Sequence, residues 1–355
     1  MLPDRAVGNS PDYSLLTRVL ADPQQIEQLS PDELSRLLDA ATAARLLGWV
    51  VDRCRALPVR GEAPAWLRER LLTADAQAAG YERTLRWEID RLIRAFYGTN
   101  QTWVLLKGAA YVAAGLPPGH GRRVADIDVL VPHADLGRVE GILQEHGWEF
   151  PEIDPYDDRY YREWMHELPP MVHRERKSIV DVHHAILPGM SRSHPASARL
   201  LERAVPAGDA WVLCPPHMLL HAAAHLFHDG EIAGAIRDLV DIDQLLRWFA
   251  RDHSFWDDLL REARLLRLTR PAYYAVTYAQ RLFATPVPAV VTREVTSWAP
   301  PLPVRRLMDI LVRRSIATTA GRMSSFSVFA LYVRSHWLRM PPLRVLSHLT
   351  RKALR

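Results

Sequence analysis

The sequence predicts an α+β protein: a mixed β-sheet core flanked by helices, with a helical segment before it and an all-helical region after it. Two observations predict this. Between about residues 100 and 190, short apolar runs of strand length alternate with helix-length segments. On either side, apolar residues recur only at helical spacing. The boundaries expected are a helical segment over 1–98, a core over 99–190 and a helical region over 191–355 that packs on the core.

The elements follow in order. Ser30-Pro31-Asp32-Glu33 is a helix start, with serine as cap and proline at the first position. The run from Glu33 to Arg55 keeps helical spacing, and Pro58 and Pro64 break it. Further helices are predicted from Ala65 to Ala79 and from Tyr81 to Phe96. The core is predicted to hold strands at 102–107 and 124–131, helices at 108–115 and 134–146, and strands at 170–175 and 178–184. The acidic, tyrosine-rich stretch between them, EIDPYDDRYYREW, is assigned to loop and helix. From Pro215 the pattern is helical throughout, over 216–228, 231–250, 254–264, 270–283, 303–318, 325–338 and 342–354. The proline-rich stretch from Pro286 to Pro303 is expected to be loop.

Composition narrows the function classes. Apolar residues make up 48% of the 355-residue chain and charged residues 24%, as in an ordinary soluble protein. The N-terminal sequence MLPDRAVGNSPDYS does not read as a signal peptide, and no apolar run is long enough for a transmembrane segment. Cys54 and Cys214 lie far apart and give no disulfide framework, so a reducing, cytoplasmic setting is expected. The net charge is +4, and the excess lies at the end. After Asp309 no acid occurs, while eight arginines and Lys352 follow. Such a basic C-terminal region suits an anionic partner. A helix packed on the core with a basic outer side is the favoured explanation, since Phe326, Phe329, Tyr332 and Val333 recur at helical spacing.

The chemistry concentrates between Trp103 and Val131, WVLLKGAAYVAAGLPPGHGRRVADIDVLV. Alternate strand residues share a face, so Asp126 and Asp128 project together while Ile127 and Val129 face a core. Adjacent carboxylates repel, and a rigid strand that carries two suits a divalent cation. Asp181, in the later strand SIVDVHHAIL, supplies a third carboxylate. Three carboxylates on one sheet face can hold one or two Mg²⁺ ions, which orient a triphosphate and neutralise its leaving group. Gly108 falls where a strand turns into a helix, a place where backbone N–H groups bind phosphate. Lys107 is one of only three lysines in the chain, and it or an arginine before the acids can add charge there. The competing explanation makes Asp126 and Asp128 solvated strand-end residues.

The order Lys-Gly-helix, Arg, Asp-Ile-Asp, helix, Val-Asp-x-His resembles the nucleotidyltransferase superfamily that includes DNA polymerase β. More narrowly it resembles an uncharacterised bacterial nucleotidyltransferase-like family, over about residues 100–250. The resemblance implies a nucleotidyltransferase-like mixed sheet flanked by helices. It implies catalytic and metal-binding roles for Asp126, Asp128 and Asp181, with Mg²⁺ (or Mn²⁺) as cofactor and an NTP as substrate. It implies nucleotide binding by Lys107, Gly108, Ala109 and Arg122, with Arg123 a rival for the arginine's place. Ala109 stands where the superfamily pattern has serine or glycine, which removes a hydroxyl contact to phosphate.

Four further residues are candidates to line the site: His183, His221, His225 and Asp241. His183 shares the face of Asp181, whereas His184 points the other way. His221 and His225 are four apart on one helical face, a spacing that also fits zinc, although no HExxH or cysteine pair accompanies it. Asp241 matches an acid of the resembling family. The function expected is transfer of an NMP group from an NTP to an unidentified acceptor: a small molecule, a peptide, a protein or a tRNA. A catalytically inactive nucleotide- or RNA-binding protein on the same fold stays open, as does an Asp-x-Asp glycosyltransferase using a nucleotide-sugar.

Overall fold

The computed structural model describes residues 13–55, 64–188, 195–229 and 236–317. Among the described residues, four α-helices come first: α1 (Tyr13–Ala21), α2 (Pro31–Ala43), α3 (Leu47–Arg55) and α4 (Ala65–Phe96). The Ser30 side chain accepts from the Glu33 backbone N–H, and the Glu33 carboxylate accepts from Ser30 in return, which closes a capping box at the start of α2. The single helix expected from Glu33 to Arg55 is two. Arg45 adopts φ 58°, and Leu46 N–H donates back to the Ala41 carbonyl while Arg45 N–H donates to Thr42. That is a Schellman stop made without glycine, so the sequence does not announce it. Conversely, the break expected near Gly80 is absent. The buried stripe Leu71, Ala74, Ala78, Leu85, Ile89 and Leu92 carries α4 across it. Its packing outweighs the ~1 kcal/mol that a helical glycine costs.

The core then follows as β1 (Val104–Leu105), α5 (Lys107–Ala113), β2 (Asp126–Leu130), α6 (Leu136–Glu145), β3 (Trp148–Glu149), α7 (Pro155–Trp164), β4 (Met171–His173) and β5 (Ile179–His183). After α8 (Ser197–Glu202) come two strands the sequence reading lacked, β6 (Val205–Ala207) and β7 (Ala210–Val212). They form an antiparallel hairpin that turns through Gly208 at φ +64°, and β7 pairs in parallel with β1. The mixed sheet has seven strands in the order β3-β4-β5-β2-β1-β7-β6. At its centre β2 runs parallel to β5, with Asp128 opposite Asp181 and Val129 opposite Val182. Ile127, Val129, Val180 and Val182 are all buried, which fixes the register because a one-residue slip would expose them.

The loop before β2 is tied down by glycine contacts. A Cβ on Gly48 of α3 would fall 2.5 Å from the Gly121 carbonyl oxygen, and Gly121 itself has φ +58°. The remaining helices are α9 (Pro215–Asp229), α10 (Ile236–Phe249), α11 (Phe255–Leu265), α12 (Thr269–Phe283), α13 (Ala289–Ser297) and α14 (Leu302–Ala317). α13 occupies the stretch expected to be loop, with Pro288 at its N-cap and Val291 and Val295 buried. α9 packs against α10, α11 and α12, where Phe227 meets Tyr274 in a tilted contact and stacks on Tyr278, at 5.3 and 5.8 Å between ring centroids. The protein is thus α+β, with N-terminal helices, a mixed sheet and a C-terminal helical region. No described helix is long and apolar enough to cross a membrane. The helices expected at 325–338 and 342–354, with the basic tail, lie outside the described residues.

Candidate active site

Two adjacent parallel strands build the site. Asp128 and Asp181 are direct register partners on β2 and β5, and Asp126 and His183 lie two residues away on the same faces. Asp126 and Asp181 are half-buried, whereas Asp128 is buried at 3% exposure. The Asp128 carboxylate already has partners. Lys107 Nζ donates to its Oδ1 at 2.6 Å, and His183 Nε2 lies 2.9 Å from the same oxygen. Burial disfavours a charge on Asp128, but Lys107 and His183 outweigh it and hold its pKa far below the usual carboxylate range. The Lys107 pKa is raised, because the nearby Asp128 carboxylate more than offsets its own burial.

Lys107 does not end the strand as expected. It opens α5 with φ 45°, a left-handed conformation that costs a lysine about 1–2 kcal/mol. The conformation carries its ammonium to Asp128, while the next N–H back, that of Leu106, donates to the Asp128 carbonyl at 2.9 Å. Strain kept at one residue in order to place its charge is the pattern of a functional site.

Asp181 is the opposite case. One of its oxygens is buried and has no hydrogen-bond partner. Burial, then the carboxylates of Asp128, Asp126 and Glu167, push its pKa up to about 7. A buried carboxylate oxygen without a donor, facing other carboxylates, is a donor set that fits a hard divalent cation. The three aspartates would be its ligands.

The structure separates the other candidates. Arg122 does not point freely at the acids. Its guanidinium is buried against Asp241 of α10 in an ion pair with side-chain exposures of 9% and 7%, and it lies 5.5 Å over the Tyr111 ring. Burial opposes the Arg122 charge, but Asp241 outweighs it and raises the pKa. Gly108 serves this packing: a Cβ there would sit 2.8 Å from both Arg122 Nε and Val124 Cγ2. Arg123 is exposed and lies over Tyr81 at 5.7 Å. His221 is buried near enough to Lys107 and His183 to feel their charge, and burial drives its pKa well down, so it is neutral. His225 is half-buried one turn further along α9. His184 faces away from the acids and stacks edge-on against His133 at 4.7 Å.

Sequence reasoning missed two residues, His166 and Glu167. An isolated antiparallel bridge sets Glu167 against His183, with His184 N–H donating to the His166 carbonyl at 2.9 Å. Glu167 Oε2 then lies 3.3 Å from His183 Nδ1. No motif spacing announces this contact, because it depends on where the chain re-enters the sheet. A cavity of about 380 Å³, lined in part by Arg203, Cys214, Trp248 and Asp258, lies among the helices and shares no residue with the acid site.

Comparison with curated proteins gives no match, and neither does comparison with solved structures. A family model described as "Uncharacterised nucleotidyltransferase" matches residues 30–284, well over half of the chain, from the capped start of α2 to the end of α12 and across the whole acid-bearing sheet. The chain therefore belongs to this uncharacterised nucleotidyltransferase family.

Proposed function

We propose that this protein transfers an NMP group from an NTP to an acceptor that is a small molecule, a peptide, a protein or a tRNA end, and that it acts in the cytoplasm. The observation that carries the proposal is the pairing of Asp128 with Asp181 on adjacent parallel strands, with Asp126 on the same face and a buried Asp181 oxygen lacking any donor. Asp126, Asp128 and Asp181 would hold Mg²⁺ (or Mn²⁺). Bound there, the metal would orient the triphosphate and neutralise charge on the leaving pyrophosphate.

The chain's own residues account for the rest. Lys107 and a metal compete for the same Asp128 carboxylate. A displaced Lys107 gains a triphosphate to pair with, beside the backbone of Gly108 and Ala109. His183 steadies Asp128 through the same carboxylate oxygen that Lys107 holds. Asp181 completes the metal site or takes the acceptor proton. Arg122, locked to Asp241, braces α5 rather than reaching the phosphates. His221, buried and neutral beside Lys107, lines the site without adding charge.

A second possibility rests on one observation: Asp128 is already neutralised by Lys107 and His183. A nucleotide- or RNA-binding protein without catalysis would show the same arrangement. Incubation with α-³²P-labelled NTPs, Mg²⁺ and a cell extract, followed by a search for labelled acceptor, separates the two. Label transfer that disappears in Asp126→Asn supports catalysis. Transfer unaffected by that substitution refutes it.

A further inference from the structure

Beside the aspartates lies a second group of ligating side chains with different chemistry. Among the described residues, one set of three metal-ligating side chains has its ligand atoms all within 4.8 Å of one another: His166, Glu167 and His183. We propose that these three residues form a site for a borderline transition metal such as Zn²⁺, separate from the Mg²⁺ site of the aspartates.

The geometry argues for it in three steps. First, His183 uses Nε2 toward Asp128 at 2.9 Å, which leaves Nδ1 to face Glu167. Nδ1 is buried and makes no hydrogen bond at that distance, 3.3 Å, so a cation bridging it to Glu167, a metal or a proton, would satisfy both groups. Second, the spacing suits a metal. Zinc bonds of about 2.0–2.1 Å place tetrahedral ligands about 3.3–3.4 Å apart. The His183 Nδ1–Glu167 Oε2 separation is 3.3 Å, and His166 Nε2 lies 4.0 Å from the same Glu167 oxygen. All three ligand atoms lie within 4.8 Å of one another, so bound metal would draw His166 in by under about 1.5 Å.

Third, the support behind the site is the arrangement metal-bound histidines use, in which the far ring nitrogen donates to a carboxylate that fixes the tautomer. Asp128 supplies that carboxylate for His183. His166 and His183 are buried while Glu167 is partly exposed, at 22% for its side chain, so the site has a dry back and an open front. Two imidazoles and one carboxylate with an open position match zinc and related divalent ions rather than Mg²⁺, which prefers oxygen ligands. Asp128 would then face Mg²⁺ on one side and support the transition metal through His183 on the other. The proposal does not require nucleotidyl transfer.

Untagged protein, stripped with a chelator and held in excess Mg²⁺ without NTP, is titrated with Co²⁺ while its ligand-field absorption is followed. One equivalent should bind with visible bands. His166→Ala and Glu167→Gln should abolish the bands or weaken binding at least tenfold, and Asp128→Asn should weaken it by roughly 10- to 100-fold through its loss behind His183. Asp126→Asn should leave binding unchanged. Glu167→Gln alters a partly exposed residue, so it keeps the test open if His166→Ala fails to fold. The absence of stoichiometric Co²⁺, or binding that survives Glu167→Gln and vanishes in Asp126→Asn, overturns the site. The first result leaves a shared proton as the cation between His183 and Glu167, and the second assigns the ion to the aspartates.

Discussion

Replacing Arg122 by methionine removes the guanidinium but keeps most of the stem that lies beside Gly108 and Tyr111. Asp241 is then left buried and unpaired, since its side chain is only 7% exposed. Breaking a buried pair from one side costs about 3–5 kcal/mol, whereas replacing both partners by apolar residues is often neutral. The Arg122–Tyr111 contact adds roughly 0.5–1 kcal/mol to the loss on the arginine side. Arg122→Met and Asp241→Leu should therefore each lose about 3–5 kcal/mol, and the double variant should recover to within about 1–2 kcal/mol of the parent. Denaturant midpoints at equal slopes measure this. Losses below about 1 kcal/mol for both single variants, or a double variant equal to their sum, would refute the buried clamp. A stable Arg122→Met protein that no longer binds NTP would return Arg122 to the phosphates.

Other consequences follow from the same geometry. Gly108→Ala places a methyl 2.8 Å from a guanidinium that cannot yield, so it should lose about 1–3 kcal/mol in thermal or denaturant unfolding. Lys107→Ala frees Asp128 and should raise Mg²⁺ affinity while weakening NTP binding, roughly tenfold each if the ion pair contributes about 1.4 kcal/mol; paired calorimetric titrations read both. Glu262 is fully buried, yet Arg199, His217 and Arg203 outweigh that burial and hold its pKa at about 2, below the ordinary ~4.3 of glutamate. A depressed carboxylate stabilises fully above the unfolded value, and the contribution is lost as pH falls toward the folded one. Glu262→Gln should thus lower the melting temperature at pH 7 and flatten its fall between about pH 4.3 and 2. An acid limb identical to the parent's would show that Glu262 is not its source.

How much of this was legible in the sequence depends on the range of the interaction. Period two places Asp126 with Asp128 and Asp181 with His183, and the buried alternates Val129 and Val182 make that face unambiguous. Caps are equally local, so Ser30 and Glu33 mark the start of α2 correctly. Arg45 and Lys107 escape because they take positive φ without being glycine or asparagine, so no residue type marks either position. The β6–β7 hairpin escapes because three-residue strands carry too little periodicity, and its partner β1 lies about a hundred residues away. Asp241 carries a weak local signal, but its pairing with Arg122 spans 119 residues, and nothing local favours that partner over surface pairing. His166 and Glu167 meet His183 only through one bridge at the sheet end.

The measurement that tests the central claim most directly is calorimetric titration of the four NTPs into the protein with Mg²⁺, beside an Asp126→Asn/Asp128→Asn variant. The account predicts that the parent binds at least one NTP only when metal is present and that the variant does not. Failure of both to bind, or equal binding by both, would contradict it, because the paired aspartates would then not be a metal–nucleotide site.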